Sequence, residues 1–169
     1  MVDKADVTAV ILAGGKGRRM EGEDKGLVDL AGRPLVEYVI EAIEPQVETI
    51  ILNANRNQQR YARYGYPVIS DALADYQGPL AGFISALHNA ATSHVVTLPC
   101  DGPFIAGDLV ERLITALDTN GADIAVAHDG DRMQPVYSLI PTRLSPSLKD
   151  FLDTGERKID RWYAQLRVA

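Results

Sequence analysis

Hydrophobic and polar positions follow two different periods along the chain. Short apolar runs rich in β-branched residues predict buried strands, and longer stretches with apolar residues three and four positions apart predict helices. The predicted strands are Val7–Ala13, Thr49–Asn53, Pro67–Ser70, His94–Pro99, Ala122–Ala127 and Val136–Ile140. The predicted helices are Pro34–Ile43, Gln58–Tyr64, Pro79–Ala91, Ala106–Leu117, Leu144–Leu152 and Ile159–Leu166.

This alternation of strands and helices predicts an α/β fold, in which βαβ units build a mainly parallel central sheet flanked by helices. Ligands of such sheets bind beyond the carboxyl ends of the strands. Polar residues follow three of the predicted strands, in the segments that start at Gly14, at Asn53-Ala54-Asn55 and at Pro99-Cys100-Asp101. We therefore expect a ligand site at this edge of the sheet.

Composition narrows the possible classes of protein. The 169 residues fit one domain, and 46% hydrophobic with 24% charged residues is typical of a globular protein. The formal net charge of -6 argues against a general nucleic-acid binder, and one cysteine excludes a disulfide scaffold. The first apolar run is too short to span a membrane, and acidic residues precede it, which is not typical of a signal peptide. We expect a cytoplasmic protein.

A glycine-rich, cationic segment follows the first predicted strand. It reads Gly14-Gly15-Lys16-Gly17-Arg18-Arg19-Met20, and Asp24-Lys25-Gly26 comes shortly after it. Glycines let backbone N–H groups approach a phosphate, and lysine and arginine add charged donors. The Walker A pattern fails because Arg19 stands where its second glycine would be. The dinucleotide-binding pattern fails because Met20 stands where it requires Gly or Ala. The segment indicates a phosphate-bearing ligand on an otherwise acidic protein.

Together these motifs resemble those of the nucleotidyltransferase superfamily, in particular the molybdenum cofactor guanylyltransferases. The pattern GGxGxRM with DKGL is accompanied by GPLAG, PCDGPF, QPVY and GERK, in that order. The similarity runs from Val7 to about Leu166. It implies a three-layer Rossmann-like nucleotidyltransferase fold that occupies residues 1–169 as a single domain.

The resemblance implies a Mg²⁺-dependent transfer of GMP from GTP to the phosphate of molybdopterin that carries molybdenum, with release of pyrophosphate. Catalytic roles would fall on Arg19, Lys25 and Asp101, and Asp101 would bind the metal. No general base is needed if the accepting phosphate is already ionised. The implied nucleotide-binding residues are Leu12, Ala13, Gly14, Gly15, Lys25, Asn53, Asp71 and Asp101.

Other interpretations remain open at this point. A cytidylyltransferase for the same cofactor or a sugar-1-phosphate nucleotidyltransferase would use the same loop. A nucleotide- or cofactor-binding adaptor without turnover is a candidate from another class. Taken singly, Asn53 is equally explained as a turn former and Asp71 as a solvated loop acid. The expected partners are GTP and Mo-molybdopterin, together with a molybdenum insertion protein and molybdoenzyme chaperones, for a monomer or weak homo-oligomer.

The second half of the chain has its own expectations. By resemblance, the segment from Gly130 onward faces molybdopterin, and its phosphate or pterin would be met by Arg132, Arg157, Lys158 and Arg161. Ordinary surface charge is the alternative explanation for each of these four side chains. Trp162 is predicted to lie in the core, and Cys100 to be a small buried residue rather than a nucleophile. Family members continue past the helix that ends near Leu166 with a short strand, an asparagine-rich turn and a final helix. We expect that C-terminal part to be missing here.

Overall fold

The computed structural model describes residues 1–14, 22–72 and 78–169. Its strands are β1 (Val7–Leu12), β2 (Asp29–Leu30), β3 (Arg33–Pro34), β4 (Thr49–Asn53), β5 (Val68–Ile69), β6 (His94–Pro99), β7 (Ala125–His128) and β8 (Met133–Pro141). Its helices are α1 (Leu35–Ile43), α2 (Gln58–Ala62), α3 (Pro79–Asn89), α4 (Leu109–Asn120), α5 (Ser145–Asp153) and α6 (Ile159–Tyr163). All twelve predicted elements are found, with ends that differ by up to three residues.

Six of the strands form one sheet in the order β5-β4-β1-β6-β8-β7. The first four strands of that order are parallel, and β8 runs antiparallel to both of its neighbours. The prediction of a mainly parallel sheet is therefore confirmed. Strand β1 lies in the middle, where Leu12 pairs with Asn53 of β4 on one side and Pro99 of β6 on the other.

Helices cover both faces of the sheet, which gives three layers. Along β1, Val7, Ala9 and Ile11 pack in one buried cluster with residues of α1 and α4. Val10 packs in the other cluster, with residues of α3, α5 and α6. This alternation is the period-two pattern expected of a strand buried on both faces. The fully buried Trp162 lies in the second cluster, as predicted.

Helix α4 begins at Leu109, three residues later than predicted, because a side chain from another segment organises its start. The Gln46 amide donates to the carbonyl oxygen of Ala106 at 2.9 Å, and Gln46 Oε1 accepts from the backbone N–H of Val110 at 3.0 Å. The helix ends at Gly121, which has a left-handed φ of 56°. That ending is the usual glycine C-cap.

Two features of the sheets were not predicted. Strands β2 and β3 form a separate hairpin whose turn has positive φ at Ala31 and Gly32. In the main sheet, the register between β7 and β8 shifts, since Val126 pairs with Ser138 but Ala127 pairs with Gln134. Three residues of β8 therefore bulge out between those pairs, at the QPVY motif. Bulges of this kind re-aim side chains and are common beside functional sites.

The end of the chain extends the sheet at β7. Ile124 and Val168 form a parallel bridge, and the N–H of Ala169 donates to the carbonyl oxygen of Ile124 at 3.0 Å. Arg167 forms an ion pair with Asp123, 3.0 Å between Nη2 and Oδ1. No helix within the described ranges is long and apolar enough to cross a membrane.

Candidate functional site

Four strand ends meet at the carboxyl edge of the sheet. The N–H of Ala13 donates to the Asn53 carbonyl at 2.7 Å, and the N–H of Cys100 donates to the Leu12 carbonyl at 3.2 Å. The N–H of Ala54 donates to the Ile69 carbonyl at 2.7 Å. These bonds extend the sheet past the last paired residues. They bring the segments with the predicted site residues of β1, β4, β5 and β6 to one edge.

An amide–carboxylate cluster joins the ends of β4, β5 and β1. Asn53 Nδ2 donates to Asp71 Oδ1 at 3.1 Å, and Asn55 Nδ2 donates to Asp71 Oδ2 at 2.8 Å. Asn55 Oδ1 accepts from the N–H of Asp71 at 2.8 Å, and Asn55 Nδ2 also lies 3.2 Å from the carbonyl oxygen of Gly14. Asn53 is only 1% exposed, so its amide depends on this bonding. The cluster fixes Asn53 and Asp71 beside Gly14.

Close packing explains two glycines around this cluster. A Cβ at Gly14 would lie 2.7 Å from Asn55 Nδ2 and 3.2 Å from Asn53 Oδ1. A Cβ at Gly82, in the first half of α3, would lie 2.8 Å from a methyl carbon of Leu12. Helix α3 therefore packs directly on the end of β1. A larger residue at either glycine would push the strand end or the amide cluster aside.

A second part of the site joins the cationic segment to the end of β6. Lys25 lies in a 3₁₀ turn, Lys25–Leu27, and its Nζ is 3.8 Å from Asp101 Oδ2. Both side chains are about two-fifths exposed, 41% and 38%. An exposed ion pair of this length contributes little to stability. Both groups are thus available to a ligand.

The turn that carries Lys25 is held by α2 and by the residue that precedes this helix. The Tyr61 hydroxyl donates to Asp24 Oδ1 at 2.6 Å, and Asn57 Nδ2 donates to Asp24 Oδ2 at 3.0 Å. The next residue, Gly26, is buried and leaves no room for a side chain, because a Cβ there would lie 2.6 Å from Tyr61 Oη and 3.1 Å from the Cys100 Cβ. This packing is the physical reason for the glycine in the DKG motif.

Arg56 fixes the residues just before that turn. Its Nη1 donates to the Gly22 carbonyl at 2.5 Å and its Nη2 to the Glu23 carbonyl at 2.8 Å. Arg56 follows Asn55 directly, so the polar segment after β4 contacts both parts of the site. Asn55, Asp24 and Tyr61 were not among the predicted site residues. The polar stretch after β4 and the DKG motif signalled the first two, but no local pattern distinguishes Tyr61 from a core tyrosine.

Cys100 is buried at 6% exposure, in agreement with the prediction of a small core residue. Burial and then the neighbouring carboxylates Asp101 and Asp24 raise the pKa of the Cys100 thiol to about 12. The thiol therefore stays protonated near neutral pH, where a nucleophile would need a thiolate.

The bulge of β8 places Tyr137 beside the same strand end. A Cβ at Gly102 would overlap Tyr137 Oη, so the tyrosine packs directly on this glycine. Burial, with a contribution from Asp101, raises the pKa of Tyr137. Thr97 Oγ1 holds the bulge by donating to the Val136 carbonyl at 2.7 Å.

Other predicted residues fall elsewhere. Gly15 and Arg19, like Lys16 and Arg18, lie outside the described residues. Arg157 donates to the backbone carbonyls of Leu152 at 2.9 Å and Glu156 at 2.6 Å. Arg161 forms an ion pair with the Glu156 carboxylate. Both arginines thus have partners within their own segment.

The donor set suits a metal that needs few protein ligands. Within residues 1–14, 22–72 and 78–169, no group of three or more His, Cys, Asp or Glu side chains could hold a metal ion. Mg²⁺ typically takes one or two carboxylates and completes its shell with water and substrate phosphates. The two oxygens of Asp71 already accept from amides. The part-exposed carboxylate of Asp101 therefore fits Mg²⁺ better than Asp71 does.

Comparison with known proteins points to one family. The family profile "MobA-like NTP transferase domain" matches residues 9–168. A protein of Shewanella halifaxensis named molybdenum cofactor guanylyltransferase is 53% identical over 161 residues, which cover 95% of this chain and 80% of the relative. A protein of the same name from Shewanella woodyi is 54% identical over 159 residues, which cover 94% and 81% of the two chains.

A solved structure supports the same relationship. The molybdopterin-guanine dinucleotide biosynthesis protein A of Archaeoglobus fulgidus superposes with a TM-score of 0.77 at 28% identity. The superposition covers 96% of this chain and 81% of that one. The three-layer fold expected from the sequence is thereby confirmed.

Proposed function

This chain belongs to the MobA-like NTP transferase family, among the molybdenum cofactor guanylyltransferases, and we propose that it transfers GMP from GTP to the phosphate of Mo-molybdopterin. Pyrophosphate is the other product. The bond that forms joins the acceptor phosphate oxygen to the α-phosphorus of GTP, and the bond that breaks joins the α-phosphorus to the bridging oxygen of the pyrophosphate. The chain is a nucleotidyltransferase, and residues 1–169 act as one catalytic domain in this proposal.

The observation that carries the proposal is the pairing of Lys25 with Asp101 at the edge of the sheet. A cationic side chain and a carboxylate, both part-exposed and 3.8 Å apart, suit a triphosphate bound together with a divalent cation. The triphosphate would take over Lys25 as a charge-assisted donor. The carboxylate of Asp101 would then be free for the metal.

Each part of the site has a separate task in this mechanism. The amide–carboxylate cluster of Asn53, Asn55 and Asp71 binds the nucleoside part, and Gly14 lets the end of β1 approach it closely. Lys25 binds the phosphates and stabilises negative charge that develops as pyrophosphate leaves. No side chain needs to act as a general base, because a phosphate acceptor is already ionised at neutral pH.

Asp101 would hold the Mg²⁺ ion, as is general in this type of enzyme. When bound, the ion neutralises phosphate charge and orients the leaving pyrophosphate. By resemblance, Gly15 and Arg19, which lie outside the described residues, would also belong to the triphosphate site. The names of the relatives favour GTP and Mo-molybdopterin over the cytidylyl, sugar-phosphate and adaptor alternatives.

Calorimetric titration with GTP, CTP, ATP and UTP in the presence of Mg²⁺ tests the choice of base. We expect GTP to bind most tightly, and preference for CTP would contradict the proposal. Pyrophosphate release with GTP and Mo-molybdopterin tests turnover. Asp101→Ala should abolish that release without unfolding the protein, and full activity of this variant would contradict the role of Asp101.

A matched control separates charge at the site from charge on the surface. Asp153→Ala removes the exposed Lys149–Asp153 pair on α5, 2.7 Å between Nζ and Oδ2. This variant should leave pyrophosphate release unchanged. Lys25→Ala should weaken GTP binding by at least about 1.5–3 kcal/mol, the contribution of a hydrogen bond to a charged group.

A further inference from the structure

The position of Lys25 depends on groups other than its ion-pair partner. The Lys25–Asp101 pair is exposed and longer than a hydrogen bond, so it constrains the lysine weakly. The turn itself is short, with the N–H of Leu27 donating to the Asp24 carbonyl at 3.0 Å. A single 3₁₀ turn has little stability of its own. Its place on the sheet edge must come from contacts outside the turn.

Arg56 bonds the two residues before Asp24, and Asp24 makes two further contacts of this kind with its carboxylate. An aspartate at this position would ordinarily cap its own turn, but here the side chain makes no capping bond. It accepts instead from Tyr61 on α2 at 2.6 Å, and from Asn57, the residue before α2, at 3.0 Å. The residue next to Lys25 is therefore bonded to a different element of the fold.

Tyr61 is a rigid partner for this carboxylate. Its side chain is fully buried, at 0% exposure, in the cluster that contains residues of α1 and α4. Burial, then the bond to Asp24, raises the pKa of Tyr61 well above its usual range, so the hydroxyl stays a donor. Loss of Asp24 as acceptor would leave a buried polar group without a partner.

The same tyrosine also packs on Gly26, which lies against the segment that leads to Asp101. Its hydroxyl packs on Gly26, and Gly26 packs on the side chain of Cys100, the residue before Asp101. Tyr61 is thus bonded to Asp24, the residue before Lys25, and packs on Gly26, the residue after Lys25, which in turn packs on the residue before Asp101. This packing places the backbone that carries Lys25 against the backbone that carries Asp101.

We propose that Tyr61 is a positioning residue, which holds Lys25 for the triphosphate through its hydrogen bond to Asp24. This inference rests on the proposed function, in which Lys25 binds the phosphates. Tyr61 itself touches no substrate. Its effect on the enzyme should therefore require Lys25.

Tyr61→Phe tests the positioning role, because it removes only the hydroxyl that donates to Asp24. We expect GTP affinity to fall about three- to tenfold, which is in the lower part of the range of coupling between neighbouring residues. Tyr64→Phe is the matched control, because the Tyr64 hydroxyl also donates to a carboxylate, Glu37 Oε1 at 3.1 Å, away from the turn. It should lower the melting temperature but leave GTP affinity unchanged.

The decisive measurement repeats Tyr61→Phe in a Lys25→Ala background, with GTP affinity from calorimetry in all four proteins. If Tyr61 acts through Lys25, its substitution should have no further effect on GTP affinity there. An equal loss in both backgrounds, or no loss in either from a folded protein, would overturn the inference. Normal GTP binding by Lys25→Ala alone would instead contradict the proposed role of Lys25, and the inference would fall with it.

A surface variant keeps the test valid if Tyr61→Phe does not fold. Asn57 donates to the other oxygen of Asp24 and has a positive φ of 53°. Asn57→Gly removes this donor and tolerates that backbone conformation. We expect a smaller loss of GTP affinity that again disappears in the Lys25→Ala background, and its persistence there would overturn the inference.

Discussion

Gly14 and Asn55 are in direct contact, since the Asn55 amide lies 3.2 Å from the Gly14 carbonyl oxygen and a Cβ at Gly14 would come within 2.7 Å of Asn55 Nδ2. The contact joins the end of the central strand to the end of its neighbour. Both amide hydrogens of Asn55 are engaged there, one toward Gly14 and one toward Asp71. The backbone at Gly14 and the carboxylate of Asp71 are therefore linked through one side chain.

Gly14→Ala should weaken GTP binding by about tenfold or more, because the new methyl group displaces Asn55 and with it Asp71. Calorimetric titration with GTP and Mg²⁺ measures the loss. Gly107→Ala is the control, since a Cβ at Gly107 would meet no atom of the described residues within 4 Å and the φ of Gly107 is not positive. It should bind GTP normally. Equal affinities of the two variants would mean that the cluster does not bind nucleotide.

The elements that carry the site follow from local sequence. Apolar runs that end in glycine or asparagine predicted β1 and β4, and the pairing of their ends follows from parallel strand order. Lys25 and Asp101 were predicted from motifs, and they lie 3.8 Å apart. The fold class, and the sheet edge at which these residues meet, could thus be predicted from the sequence.

The groups that hold these residues in place could not be predicted from the sequence. Tyr61 and Asp24 are 37 positions apart, and their bond exists only because α2 packs under the turn. The β2–β3 hairpin uses Ala31 at a positive φ of 52°, where a sequence pattern would favour asparagine or glycine. The β8 bulge depends on Thr97 from another strand. Such features come from tertiary packing rather than local propensity.

The bulge of β8 provides a second prediction, on stability. The buried Tyr163 hydroxyl lies 2.7 Å from the Pro135 carbonyl oxygen and 2.5 Å from Ser138 Oγ. Tyr163→Phe removes these contacts, while Ser138 Oγ still donates to the Pro135 carbonyl at 2.6 Å, so the unfolding free energy should fall by about 0.5–1.5 kcal/mol. Urea denaturation followed by circular dichroism measures the change.

A half-buried tyrosine with a surface hydrogen bond offers the comparison. The Tyr38 hydroxyl donates to the Leu30 carbonyl at 2.6 Å on the surface, where water can replace it. Tyr38→Phe should therefore change the unfolding free energy much less. If Tyr163→Phe and Tyr38→Phe lower the unfolding free energy equally, the network around Pro135 contributes no more than a surface bond.

The stability of the folded protein should depend on pH through the Cys100 thiol. Burial raises the pKa of its thiol in the folded protein to about 12, against 9.0 for an exposed thiol. Above pH 9 the unfolded chain loses this proton while the folded protein keeps it. The contribution of Cys100 to stability is therefore complete below pH 9 and declines as the pH rises toward 12.

Cys100→Ala removes this dependence, whatever its effect on packing at neutral pH. Urea denaturation at pH 8 and at pH 10.5 should show that the wild-type chain loses about 2 kcal/mol more than the variant over this interval, from about 1.4 kcal/mol per pH unit above pH 9. Tyrosines titrate in both proteins, so their contribution cancels in the difference. An equal loss in the two proteins would mean that the folded thiol ionises near its ordinary pKa, and that the packing of Cys100 against Gly26 does not exclude water from it.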